Sequence, residues 1–214
     1  MGTSNVIPAM SPGVVHDYLR ELGRGWSGQG VAMEVGCWLG ATSVPLLKGL
    51  VEAGYNKPFW AFDRWRANAS EVMKAKAQGQ KISFHQDLQN IYLRNVHSVY
   101  DNIIAIKGRI PNTFRSYRPE PIELCMFDAP KREPVFGAAV RKLVPHFIPG
   151  VTVFGLLDYF FYERRKNMGF KDWEEFLSPV KFVHDYIDCF TLLREFHESG
   201  SCAFFKYEKQ ISWK

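Results

Sequence analysis

The sequence has 214 residues, 46% apolar and 23% charged, an ordinary composition for one globular domain with a well-buried core. No run is long and apolar enough to cross a bilayer, the amino terminus has no apolar signal core, and Val6 stands where a myristoylation signal needs Ser or Thr, so a cytoplasmic protein is expected. The net charge of +5 admits an acidic partner, but the basic residues are scattered; Arg164-Arg165-Lys166 is the one short cluster, and nucleic acid is therefore a disfavoured partner.

The four cysteines, Cys37, Cys125, Cys189 and Cys202, are far apart and form no C-x-x-C pair. They are expected to be reduced, mostly buried thiols, with no zinc site. Aromatic residues reach 15%, which suits a thick core or a pocket that stacks a flat ligand.

In chain order, a flexible start over 1–10 leads into a helix around 13–23. GVAMEVG, 30–36, is a short apolar run that stops at a glycine, the pattern of a buried strand. SVPLLKGLVEAG, 43–54, has helical spacing and a glycine stop. PFWAFD at 58–63, NIIAIKG at 102–108, IELCMFDA at 122–129 and VTVFGLLD at 151–158 read as further strands, with a helix over 135–147. TLLREFHES and SCAFFKYE, joined at Gly200, read as a closing pair with one strand antiparallel. Short apolar strands alternating with helices predict an α/β fold, a mostly parallel sheet covered on both faces.

Five strands end in a glycine or an acid: Gly36, Asp63, Gly108, Asp128 and Asp158. A single acid there is as well read as a helix cap or turn residue. Five together point to a ligand, because open α/β sheets bind at the carboxyl ends of their strands. In the turn Gly36-Cys37-Trp38-Leu39-Gly40-Ala41, Trp38 fills the place where a dinucleotide fold has a glycine. No G-x-x-x-x-G-K-[ST] loop is present. Glu34 would repel phosphates and attract a cation. An ammonium, an adenine and a free ribose without phosphate fit better, as in S-adenosylmethionine. Asp63 would then accept hydrogen bonds from the two ribose hydroxyls.

The ordered series EVGCWLGATS, FWAFDRW, IIAIKGRIPNTF, IELCMFDAPKR and HFIPGVTVFGLLDYF resembles the class I S-adenosylmethionine-dependent methyltransferases, and within them the macrocin (TylF-like) small-molecule O-methyltransferases. The resemblance covers roughly residues 30–160. It implies a Rossmann-like, doubly wound, mostly parallel seven-stranded sheet with an antiparallel strand near the carboxyl end. It implies that Glu34, Gly36, Trp38 and Gly40 lie along the methionine part and that Asp63 and Arg64 lie at the ribose. Gly108 and Arg109 would lie near the adenine, Asp128 near the methyl group, and Asp158 toward the acceptor. Two departures stand out. Metal-dependent relatives carry a second acid where Pro130 stands, and a paired DD where this chain has Leu157-Asp158. Asp128 and Asp158 remain as a reduced ligand set for magnesium.

Methyl transfer needs an aligned nucleophile and a place for its proton. Asp158 is the first candidate base, with His146, His184 and Lys131 behind it. Lys131 could instead lower the pKa of an acceptor hydroxyl. A lone histidine such as His184 is more often structural or exposed. The whole chain, 1–214, is expected to be one domain, with 1–29 as an amino-terminal helical extension. The mixed segments 64–100 and 159–188 are candidate lids over the acceptor, or ordinary core helices. A small-molecule O-methyltransferase, a sugar or natural-product hydroxyl being its acceptor, leads the readings. The others are an RNA or protein methyltransferase, an NAD-type dehydrogenase and a non-catalytic binding domain, and a homo-oligomer stays open.

Overall fold

The computed structural model describes residues 13–118, 120–129, 131–197 and 201–213. The expected flexible start at 1–10, the departure at Pro130 and the joint at Gly200 lie outside the described residues. Seven strands form one sheet: β1 (Val31–Val35), β2 (Phe59–Asp63), β3 (Ile103–Lys107), β4 (Ile122–Phe127), β5 (Val153–Leu156), β6 (Phe190–Phe196) and β7 (Cys202–Tyr207). Their order is β3-β2-β1-β4-β5-β7-β6, with β7 alone antiparallel to its neighbours.

The helices are α1 (Gly13–Arg24), α2 (Ser43–Glu52), α3 (Ala69–Ala77), α4 (Gln89–His97), α5 (Val135–Leu143), α6 (Phe161–Asn167) and α7 (Ser178–Asp185). They cover the sheet on both sides. One core joins Met33, Val35, Trp60 and Phe62 to α5 and α7; the other joins Ala32 and Ala61 to α1, α2 and α4. Alternate residues of one strand thus enter opposite cores, which is why the central strands read as unbroken apolar runs. The expected helix over 135–147 stops at Leu143, and a 3-10 turn spans Val144–His146. Pro145 removes the donor and crowds the preceding turn. The aromatic surplus lies mainly in the cores: Trp38, Trp60 and Trp65 are buried with most of the phenylalanines. All four cysteines are free and buried. Among the described residues, no helix is long and apolar enough to cross a membrane.

Helices α1 and α2 cross at near contact. A Cβ at Gly49 would lie 2.0 Å from the Arg20 carbonyl oxygen, and one at Gly23 would lie 2.4 Å from the Leu46 carbonyl oxygen. Replacing an exposed helical glycine by alanine gains up to about 1 kcal/mol. Here backbone is the obstacle, so Gly49→Ala is expected to lose about 1–3 kcal/mol. A urea midpoint that stays put or rises would mean that the two helices sit further apart than described.

Candidate functional site at the carboxyl rim of the sheet

The strand order reverses between β1 and β4, so a crevice opens where their carboxyl ends part. The exits are tied at one level. Gly36 N–H donates to Phe62 O at 2.7 Å, Gly108 N–H to Asp63 O at 2.9 Å, Asp128 N–H to Val35 O at 2.7 Å, and Leu157 N–H to Phe127 O at 3.0 Å. All five residues singled out from the sequence therefore sit on one rim. Gly36 has φ +92°, and a Cβ there would lie 2.9 Å from the Ala129 amide. The exit of β4 alone excludes a side chain at Gly36. At Gly40, φ is +89° and a Cβ would lie 3.3 Å from Tyr92 and Val96 of α4.

Asp63 joins two loops. One carboxylate oxygen accepts the Trp38 N–H at 2.9 Å, the other the Trp65 N–H at 2.7 Å. Both tryptophans have left-handed backbone, φ 44° and 40°. The Trp65 indole N–H donates to the Trp38 carbonyl at 3.0 Å, and the Trp65 ring is fully buried. Burial raises the Asp63 pKa, against the pull of these two amides. Each carboxylate oxygen keeps a further lone pair. Glu34, on β1, is fully buried and accepts hydrogen bonds from the Thr42 and Ser43 hydroxyls. Burial pushes its pKa up to about 7, although both hydroxyls oppose the shift. It braces the start of α2. Arg64 is exposed and reaches both oxygens of Glu71 at 2.9 Å; Glu71 also closes the capping box of α3.

Beyond β3, Gly108 has φ +154°, and a Cβ there would lie 2.8 Å from the Thr113 methyl. The Thr113 hydroxyl is buried without a hydrogen-bond partner. The Arg109 carbonyl accepts the Thr113 N–H at 3.3 Å, while its side chain points to an exposed position. Thr113 was not singled out from the sequence, although it stands in the same KGRIPNT segment.

Across the crevice, Asp128 and Asp158 leave the adjacent strands β4 and β5. Lys131 Nζ lies 3.2 Å from Asp128 Oδ1 and forms an ion pair with Asp158 Oδ2. The side chains of Lys131, Asp128 and Asp158 are 25%, 30% and 32% exposed, so the trio is mostly buried and opens to solvent only on one side. Burial drives the Asp128 pKa up to about 7 in spite of the lysine. Burial also works to lower the Lys131 pKa, but the two carboxylates outweigh it and hold it above its ordinary value. The magnesium ion that the sequence left open on this reduced ligand set does not fit the arrangement, because the Lys131 ammonium is paired with both oxygens that would bind it. Among the described residues, no group of three or more His, Cys, Asp or Glu side chains is gathered around a cation-sized space.

The histidine candidates lie elsewhere. The His184 ring is 87% exposed on α7, with Asp185 beside it at 3.9 Å. No hydrogen bond or ion pair joins it to the trio. His146 packs on Tyr117 at 5.4 Å, next to Phe147, which bridges to Ile122. Ile122 opens β4 and Asp128 follows its far end, so His146 is at the amino edge of the sheet, roughly 20 Å from the rim. His197, not singled out earlier, stacks on Phe160 at 3.8 Å and lies 3.1 Å from Glu195. Nothing in its local sequence marks it.

The segment after β5 is pinned to the rim. Arg132 pairs with Asp172 at 3.0 Å and with Glu175 at 2.6 Å, and lies 4.3 Å over Phe176. Arg165 donates to Asp172 at 2.9 Å and lies 4.2 Å over Phe170.

Comparison with protein-family models and with curated proteins gives no match. Solved structures do match. The O-methyltransferase NovP is 13% identical, with 91% of this chain and 79% of that chain covered and a TM-score of 0.60. CalS11, a TDP-rhamnose 3'-O-methyltransferase of calicheamicin biosynthesis, is 15% identical, with 92% and 78% covered and a TM-score of 0.56. The SAH-bound methyltransferase PaMTH1 of Podospora anserina is 10% identical, with 94% and 80% covered and a TM-score of 0.61. The chain has the class I methyltransferase fold. The seven-stranded, mostly parallel sheet with an antiparallel strand near its carboxyl end is the one expected from the sequence. In a methyltransferase fold, the crevice at β1 and β4 is the ligand-binding edge that the topology itself provides.

Proposed function

We propose that this chain is an S-adenosylmethionine-dependent methyltransferase acting on a hydroxyl of a small molecule, a sugar or natural product. One observation carries the reading: the rim is built for a ligand with polar hydroxyls and positive charge, not for phosphate. Asp63 is held rigid by two amides and still has free lone pairs, and the Thr113 hydroxyl beside Gly108 is buried and unpartnered. Trp38 fills the place where a pyrophosphate would approach backbone, and Asp63 and Asp128 make the crevice acidic. An adenosyl group fits these donors and acceptors: Asp63 would hold its diol, with Thr113 at its base.

When bound, S-adenosylmethionine supplies a methyl group on a sulfonium that leaves with the bonding electrons. The chain's own residues do the rest. The Trp38 loop and the exit of β4 form the two walls of the crevice. Asp158 would accept the proton of the acceptor hydroxyl. The segment over 159–176, pinned by Arg132 and Arg165, forms the wall of the acceptor side, and 64–100 closes the other side through α3 and α4. An RNA or protein substrate is disfavoured because three arginines near the rim, Arg64, Arg132 and Arg165, are already paired with Glu71, Asp172 and Glu175, and exposed Arg109 makes no contiguous basic face by itself. Four reduced, buried thiols suit a cytoplasmic enzyme.

Isothermal titration with S-adenosylmethionine, S-adenosylhomocysteine and NAD tests the reading. Micromolar binding of both adenosyl ligands and none of NAD is the expected result. Binding of NAD alone, or of nothing, would overturn it.

A further inference from the structure

We propose that Lys131 is the resident cation of this site: its ammonium holds the place between Asp128 and Asp158 that a divalent ion would need, and keeps such an ion out. The backbone brings the two carboxylates together, since the Leu157 N–H donates to Phe127 O at 3.0 Å and fixes the exits of β4 and β5 side by side. Lys131 stands three residues after Asp128, so its stem returns over the exit of β4. Its Nζ lies 3.2 Å from Asp128 Oδ1, is ion-paired with Asp158 Oδ2, and sits 5.7 Å from the Phe161 ring centre. Asp158 is aimed from a left-handed backbone, φ 75°, which packing must hold.

A magnesium ion requires oxygens at about 2.0–2.1 Å in an octahedral shell. An ammonium hydrogen-bonded to the same two oxygens occupies that volume and repels the ion. No third carboxylate is gathered there among the described residues to tip the balance. With both carboxylates ionised, the ammonium leaves a net charge of −1, so one carboxylate is then available as a proton acceptor. An ammonium has three donors, and the two aspartates take at most two of them. Resting on the reading above, this makes the acceptor a molecule held through one oxygen, not a vicinal diol chelated by a metal.

Mn²⁺ titration of the whole chain, followed by the electron paramagnetic resonance of free Mn²⁺, tests the proposal without any substrate. Wild type and Lys131→Arg are expected to leave the free signal unchanged. Lys131→Ser is expected to bind Mn²⁺ about tenfold tighter or more, because a unit positive charge has been removed beside two carboxylates. Lys131→Ser with Asp128→Asn should fall back to wild type. Wild type that binds one Mn²⁺ and loses it in Asp128→Asn overturns the proposal, whether or not Lys131→Ser folds. A failed adenosyl titration would sink the methyltransferase reading and leave the Mn²⁺ result standing.

Discussion

Asp63→Ala is expected to abolish measurable binding of S-adenosylhomocysteine and to lower stability by roughly 2–5 kcal/mol at the same time. The two effects share a cause. The carboxylate accepts the N–H of Trp38 and that of Trp65, and both residues sit at positive φ. Non-glycine residues in that region cost about 1 kcal/mol or more each, and persist only where the surroundings hold them. Alanine removes both acceptors, leaves two amides unpaired near the core, and releases the loop that walls the crevice. Asp63→Asn is the control. Its amide keeps one acceptor oxygen and replaces the other by a donor facing an N–H, so one amide stays satisfied. It should lose about half as much stability and retain weakened binding. Calorimetric titration and urea denaturation of the two variants separate the contributions. Unchanged affinity in Asp63→Ala would remove Asp63 from the ligand site, and a lowered affinity at an unchanged urea midpoint would confine its role to the ligand.

The fold was legible because burial on both faces leaves a plain mark. Each residue of β1 is buried, so Val31–Val35 reads as a continuous apolar run broken only by Glu34. Gly36, Asp63, Gly108, Asp128 and Asp158 were legible as a set because a parallel sheet delivers every strand end to the same rim. What each one touches was not. Gly36 and Gly40 look from sequence like glycines opened for a ligand, yet each is also required by a neighbour distant in the chain, the Ala129 backbone and the side chains of α4. Glu34 looks like an acid awaiting a cation, yet its oxygens meet two hydroxyls inside the core.

Charge pairing explains the rest. Lys131 lies three residues from Asp128, a spacing visible in the sequence, but its second partner becomes visible only when β4 and β5 are known to be neighbours. The pairing of Arg132 with Asp172 is of the same kind. Histidines carry even less information. His146 and His184 both stand near aromatic residues in sequence, and nothing local tells which end of the sheet or which face of a helix receives them.

Glu34→Gln is expected to gain stability on wild type by about 2 kcal/mol as the pH is raised from 5.5 to 8. Glu34 is fully buried, and burial pushes its pKa up to about 7, with the nearby Asp63 adding a smaller push. In the unfolded chain the group titrates near its ordinary 4.5. Between those two values the native state binds more protons than the unfolded state, so stability falls as pH rises, by up to about 1.4 kcal/mol per pH unit. Above about pH 7 the loss is complete, because the buried carboxylate is charged in both states. Glutamine is neutral at every pH and nearly the same size. One of the Thr42 and Ser43 hydroxyls can turn to accept from its amide, since a hydroxyl both donates and accepts. Glu34→Ala differs in kind: it strands both hydroxyls and opens a cavity, so a loss of about 2–5 kcal/mol is expected at either pH. Asp128, also raised to about 7, gives wild type a slope of the same sign; burial is its main cause and Glu34 only the smallest, so most of that slope is common to Glu34→Gln and wild type. Urea midpoints at the two pH values decide the matter. A difference between Glu34→Gln and wild type that does not change with pH would mean that Glu34 keeps one protonation state throughout, and that the hydroxyls outweigh its burial.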